Sequence, residues 1–221
     1  VKEVIDKGYI GEIVEIESHF DYFRPVADPA PGKHYNGAFY GLGVHTLDQM
    51  ISLFGRPHHV AYDIRSVRQK QNPDDVFEAQ LFYGNMKAII KTSHLAKTDY
   101  PKFIVHGRKG SFIKYGIDQP ETCLKAGIMP EEDGFGADPE NACGKAVYID
   151  SNGDEHEKTI PTSQGDYGKV YDNLYTAIFH GGEKLVSDHE LLTNMEILER
   201  GFEKASPHVI ELKKEQPVDE K

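Results

Sequence analysis

His45 is the side chain whose neighbours best suit it to acid–base chemistry. It lies at the start of the helical pattern Val44, Leu47, Ile51 and Phe54, spaced three, four and three apart, and projects away from that stripe. Asp48 and Gln49 follow at i+3 and i+4, so both can lie beside it. In the first turn of a helix, the free N–H groups and the positive end of the dipole disfavour imidazolium. A neutral imidazole can accept a proton from a substrate hydroxyl, as alcohol oxidation requires while a hydride leaves the same carbon. The blander account is a histidine that caps the helix and hydrogen-bonds into the preceding loop, with Asp48 a favourable first-turn carboxylate.

Residues 21–36 carry Pro25, Pro29, Pro31 and Gly32 without periodicity, which predicts a long loop feeding this helix. Arg24 lies near its beginning, and Lys33, His34 and Tyr35 near its end. Such donors beside a candidate base suit a polyhydroxylated ligand, and they equally suit ordinary solvent exposure. Gly41-Leu42-Gly43-Val44-His45-Thr46 resembles a truncated dinucleotide fingerprint, with Asp63 at a tempting distance for a ribose contact. A proline-bearing loop stands where the buried strand should be, and Thr46 replaces the third glycine. His58-His59 has no spaced carboxylate or cysteine partners and no HExxH occurs, which argues against a metal site. Tyr167, Tyr171 and Tyr175 recur every four residues, as a core-edge stripe does more often than a sugar-stacking platform.

The elements that would position these groups are legible from periodicity. A short helix from Val1 stops at Gly8, and a period-two strand follows with Val14, Ile16, Ser18 and Phe20 on one face. After the His45 helix, which ends at Gly55, come strand patterns at Val60–Val67, Val76–Tyr83, Met86–His94, Phe103–His106 and Ser111–Tyr115. Gly84-Asn85 carries hairpin chemistry, as does Asn152-Gly153 between Ala146–Asp150 and Glu157–Ile160. Two helices close the pattern: Tyr167–Phe179, then Ser187–Ala205 with a Ser187/Glu190 capping box and a stripe of Leu191, Met195, Leu198 and Phe202. The expected class is α+β, a predominantly antiparallel open sheet with helices packed on one face.

Residues 1–212 are expected to form one substrate-binding and oligomerisation domain, and 213–221 a charged tail. Phe77, Ala79, Leu81 and Tyr83 alternate on a sheet face that gives a motive for self-association. The 221 residues carry 25 Lys plus Arg against 36 Asp plus Glu, a net charge of −11. That balance disfavours phosphate contacts with nucleic acid. No apolar run approaches a membrane span and no secretory layout opens the chain, so the expectation is cytoplasmic. Cys123 and Cys143 lack CxxC spacing and are expected as free thiols. Val1 already lies within a helical pattern, as expected of a piece of a longer chain.

Several segments together resemble the C-terminal domain of the Gfo/Idh/MocA oxidoreductases, the glucose-fructose oxidoreductase and inositol dehydrogenase family. They are the opening Ile5-Asp6-Lys7-Gly8-Tyr9-Ile10-Gly11-Glu12-Ile13, the glycine-rich entry from Gly37 to Gln49 through His45, and Val105-His106-Gly107-Arg108-Lys109-Gly110-Ser111-Phe112. Lys114-Tyr115-Gly116-Ile117-Asp118 is similar to a subgroup that includes NADP-dependent scyllo-inositol dehydrogenase. The resemblance implies an open antiparallel sheet of the GAPDH-like C-terminal kind, one face of which commonly packs on another subunit. It implies that His45 matches the catalytic histidine; with the reading of the residues above, Arg24, Lys33, Tyr35 and Asp48 are expected to hold the other hydroxyls of a sugar or polyol. It also implies that NAD or NADP is bound mainly by a Rossmann domain preceding this one, which would carry the catalytic lysine and be its partner. The fragment alone would then be inactive. Gly41 departs from the pattern, standing where the family usually has Asp, and any substrate contact made by that Asp is missing.

Overall fold

A computed structural model describes residues 1–27, 32–116 and 118–212. Pro29 and Pro31 of the expected loop, Ile117, and the expected tail 213–221 lie outside the described residues. The chain gathers into two units, one of Val1–Ile16 with Asp99–Leu191, the other of Glu17–Thr98 with the chain from Leu192. Strand β1 (Ile13–His19) begins in the first and ends in the second. Among the described residues no helix is long and apolar enough to cross a membrane.

The second unit holds the His45 helix, α2 (Val44–Phe54), and the strands β2 (His59–Arg65), β3 (Val76–Tyr83), β4 (Met86–Ser93) and β9 (His208–Glu211). They run in the order β9-β2-β3-β4, and each neighbouring pair is antiparallel. Tyr83 pairs with Met86, so Gly84-Asn85 makes the expected two-residue turn, with Gly84 at φ +70°. Registration puts Val60 against Leu81, Tyr62 against Ala79 and Ile64 against Phe77, and continues to Thr92, Ile90 and Ala88. All nine are buried.

That face is covered by helices. Phe39 meets Tyr62 and Phe77 edge-on at 5.9 and 5.1 Å, and the Tyr62 hydroxyl donates to the Ile197 carbonyl of α5 (Asp188–Arg200) at 3.0 Å. The expected class therefore holds, with antiparallel ladders and helices on one face. The expected association surface is corrected: Phe77, Ala79 and Leu81 face the core, and the Tyr83 hydroxyl is buried too. The open face of these strands carries Asp63, Glu78, Gln80, Phe82 and Lys91 instead.

The helical stripes are rotated from their expected positions. On α2 the buried residues are Thr46, Leu47, Met50 and Ile51, and on α5 they are Thr193, Asn194, Ile197 and Leu198. Leu191 and Met195 are exposed. Polar residues face inward because they find partners there. Arg56 donates to the Thr193 hydroxyl at 3.3 Å, and the Asn194 amide donates to the Val44 carbonyl at 3.1 Å. A Thr or Asn that finds a partner costs less to bury, although the Asn194 Oδ1 has none among the described residues; a count of apolar residues misses such positions.

In the first unit, α1 (Lys2–Asp6) precedes the antiparallel meander β5 (Phe103–Gly107), β6 (Gly110–Lys114), β7 (Gly144–Ile149) and β8 (Glu155–Ile160). Val105, Phe112 and Ala146 lie in register and are buried. Between β6 and β7 lies α3 (Gln119–Lys125), whose first turn is capped by the Asp118 carboxylate accepting from the Glu121 N–H at 3.0 Å. Helix α4 (Gly168–His180) ends at Gly181 in the left-handed conformation, as its Gly-Gly sequence predicts. The Ser187/Glu190 capping box forms, with the Ser187 N–H donating to Glu190 at 2.8 Å and the Glu190 N–H donating to Ser187 Oγ at 3.2 Å. Both cysteines are free.

Candidate active site

The approach to His45 is helical for longer than the sequence suggests. Phe39–Gly43 forms a π-helical turn that runs into α2, with Ala38, Gly43 and Val44 all in the right-handed helical region. Such turns gather at functional sites. Its start is capped from outside. Asp74 Oδ2 accepts from the Phe39 N–H at 2.7 Å, and the Asp74 carbonyl accepts from the Ala38 N–H at 2.8 Å. A Cβ at Gly37 would collide with the Asp74 carboxylate, so glycine is what admits the cap.

This corrects the expected position of His45 at the helix start. The positive end of the helix lies at Phe39, where Asp74 meets it, and the N–H groups around His45 fall inside the continuous run. Asp74 bears the cost. Burial outweighs the Phe39 hydrogen bond and pushes its carboxyl up to about 6.

His45 lies on the exposed side of α2, its ring tilted over Phe20 at 6.0 Å between centroids. Gln49, one turn further on, accepts from the fully buried Ser18 hydroxyl at 3.1 Å, which ties α2 to the end of β1 beneath the imidazole. Asp48 is exposed on the same stretch of helix. The intervening His19 is buried between the carboxylates of Glu17 at 2.9 Å and Asp21 at 3.2 Å. Asp21 also accepts the Ser93 N–H at 2.7 Å, so Phe20 is carried on a strand end held from both sides.

From His45 a run of rings leads toward Arg24. Phe20 lies 5.8 Å from Tyr22, and the Arg24 guanidinium stands 4.4 Å over the Tyr22 ring. Arg24 helps to line a cavity of about 430 Å³ together with Gly41, Leu42, Arg68, Asp74 and His94. Arg68 is structural: its Nε donates to the buried Asp75 at 2.9 Å, and its Nη1 donates to the Arg24 and Val26 carbonyls at 2.7 and 2.9 Å. Burial works against the Asp75 charge. The Val67 and Arg68 N–H groups and the guanidinium outweigh it, holding the Asp75 carboxyl below the usual carboxylate range.

Of the five expected site residues only Arg24 lines this cavity; His45, Asp48, Lys33 and Tyr35 are not among its lining residues, and His45 is linked toward Arg24 only through the Phe20 and Tyr22 rings. Lys33 stands 5.7 Å from the Tyr35 ring, while His34 packs on Phe202 at 4.8 Å and on Tyr40 at 5.6 Å. Tyr40 donates to Glu199 at 2.8 Å, and burial with this bond pushes its phenol up to about 12. Asp74, Arg68 and His94 were missed by sequence reasoning. Asp74-Asp75 immediately before a strand was the visible signal, since paired carboxylates at a strand entry need donors.

Gly41 and Gly43 lie within the π turn rather than in a strand-to-helix turn, and Asp63 pairs with Arg65 at 2.9 Å. No cluster of three or more His, Cys, Asp or Glu positioned for a metal occurs among the described residues.

Comparison with known proteins places this geometry in context. The model of an oxidoreductase family, C-terminal alpha/beta domain, matches residues 2–212. The uncharacterized oxidoreductase YhhX of Escherichia coli strain K12 is 64% identical over 96% of this chain and 61% of that protein. The scyllo-inositol 2-dehydrogenase (NADP(+)) IolW of Bacillus subtilis strain 168 is 31% identical over 92% of this chain and 57% of that protein. A crystal structure of an oxidoreductase from Bacillus cereus superposes with a TM-score of 0.93 at 51% identity, over 97% of this chain and 62% of that one. The chain spans about three-fifths of the length of these relatives.

Proposed function

Since the chain belongs to the Gfo/Idh/MocA oxidoreductase family as its C-terminal alpha/beta domain, we propose that it forms the substrate side of a nicotinamide-dependent oxidation of a secondary alcohol on a sugar or polyol. NAD or NADP, held mainly by the N-terminal domain of the full-length protein, supplies the hydride acceptor. The residues of this chain handle the proton and the hydroxyls. His45 accepts the hydroxyl proton at an imidazole nitrogen, and Arg24 and Asp48 hold neighbouring hydroxyls. Lys33 and Tyr35 serve the approach to the site rather than the cavity.

The observation that carries this reading is the cap on Phe39. Asp74 supplies the cap at the helix start, the role offered as the rival explanation of His45, and this supports reading the exposed imidazole beside the Phe20 ring as the base. The test is to screen the full-length protein with NAD and NADP against inositols first, following the name of the Bacillus subtilis relative, and then aldoses. Turnover on a cyclic polyol or sugar with a bell-shaped or sigmoid pH profile supports the reading. Silence across the panel despite demonstrated cofactor binding overturns it. A second reading, a non-catalytic ligand-binding or assembly module, is favoured by Gly41, beside which a Cβ would meet only open space. The 221-residue chain alone is expected to be inactive and to bind neither nucleotide tightly, and self-association is assigned to the open face bearing Phe82.

A further inference from the structure

Of the three glycines that lead to His45, Gly41 is the one that neither backbone nor packing explains. At Gly37 a Cβ would collide with the Asp74 carboxylate, and at Gly43 it would stand 2.9 Å from the Phe39 ring. At Gly41 nothing lies within 4 Å of a Cβ, and φ is outside the left-handed region that favours glycine. The Gly41 N–H donates to the Gly37 carbonyl at 3.0 Å, so it is not held in reserve for a ligand. Glycine is a poorer helix former than any residue but proline, so keeping it here weakens the run without a structural reason. Close approach of a ligand is a reason of another kind. Gly41 lines the cavity of about 430 Å³ and precedes His45 by four residues in the continuous helical run, and both are exposed. Positions four apart are neighbours on one helix face, so a side chain at Gly41 would stand between the cavity and the imidazole.

We propose that Gly41 determines specificity by keeping that passage clear, and that the substrate carries a hydroxylated substituent, a second sugar ring or polyol chain, running from His45 past Gly41 into the cavity. The inference deepens the reaction proposed above and rests on His45 being its base. The cavity wall selects hydroxyls over a charged group. Arg24 offers only donors, and its guanidinium rests on the Tyr22 ring rather than on a carboxylate. Asp74, 7% exposed, is an acceptor when ionised, and its Oδ1 has no partner among the described residues. A hydroxyl both donates and accepts, and so answers both. An anionic substituent would be drawn to Arg24 and repelled by Asp74.

The test measures affinity rather than turnover, by calorimetry on the full-length protein with reduced nicotinamide cofactor present. The probes are two pairs, glucose with maltose and inositol with its galactoside, and glucuronate as the anionic arm. Each is titrated into the parent, Gly41→Ala and Gly41→Leu, with thermal melting as the check on folding. The expected result is that the larger member of one pair binds the parent at least about tenfold more tightly than the smaller, as one or two added hydrogen bonds imply. That ratio should shrink in Gly41→Ala and vanish in Gly41→Leu. Gly41→Ala, which adds a methyl group in open space, decides alone where Gly41→Leu does not fold. Equal affinity within both pairs, binding of none of the probes, a ratio that survives the substitutions, or a preference for glucuronate over maltose overturns the proposal. A preference without turnover would sink the assigned reaction and leave this binding mode standing, and turnover without a preference does the reverse.

Discussion

Replacing Asp74 with Asn should remove a pH dependence of stability that originates in the cap on the His45 helix. In the folded chain the Asp74 carboxyl titrates at about 6 against an ordinary value of 3.8. The folded state therefore binds this proton more tightly than the unfolded state does. The sign follows from linkage: stability falls as pH rises from about 4 to about 6, and above that window the full cost of a buried charge is present. A shift of roughly two units corresponds to about 3 kcal/mol at 1.36 kcal/mol per unit. Asn keeps the acceptor for the Phe39 N–H and cannot ionise. The difference in unfolding free energy between variant and parent should thus move in the variant's favour by about 3 kcal/mol between pH 4 and pH 7, or on the order of 1 M in the urea midpoint. Urea titrations followed by circular dichroism at four pH values measure it. Asp75, held below the usual range, works in the opposite sense: it contributes at neutral pH, and that contribution is lost as acidification passes its folded-state pKa. Parallel pH curves for parent and Asp74→Asn, offset by a constant, would refute the assignment of the burial cost to this carboxylate.

Gly37→Ala places a methyl group against the Asp74 carboxylate and should cost about 1–3 kcal/mol. Asp74→Ala in the same chain should relieve part of that cost, so non-additive midpoints in thermal melts would verify the contact. Gly41→Asp, whose Cβ meets open space, should leave stability within about 0.5 kcal/mol, checked by calorimetry.

Much of the ladder framework was legible, because Gly84-Asn85 and Asn152-Gly153 are turn signals with a steric cause and the flanking strands alternate. What escaped reading were elements whose partners lie far along the chain. Strand β9 offers only Val209 and Ile210 as pattern and is defined by its pairing with Val60 and Ala61. Helix α3 buries only Pro120 and Cys123, too little for periodicity. The inward faces of α2 and α5 include Thr46, which donates to the Gly43 carbonyl within its own turn, and Thr193 and Asn194, whose partners Arg56 and Val44 lie far along the chain. At the site, His45 and Asp48 were visible from local spacing. The cap was not, since Asp74 reaches Phe39 across 35 positions, and the glycine pattern that resembled a phosphate loop proved to be a π turn.

His45→Ala in the full-length protein tests the central claim most directly, read as steady-state reduction of nicotinamide on whichever polyol or sugar the screen identifies. Because His45 is exposed on α2, circular dichroism and melting should be unchanged. The account predicts a loss of about 10²–10⁴-fold in turnover, with the pH dependence of the parent's limb abolished. A variant that keeps nearly normal turnover across pH would contradict it and take His45 out of the mechanism.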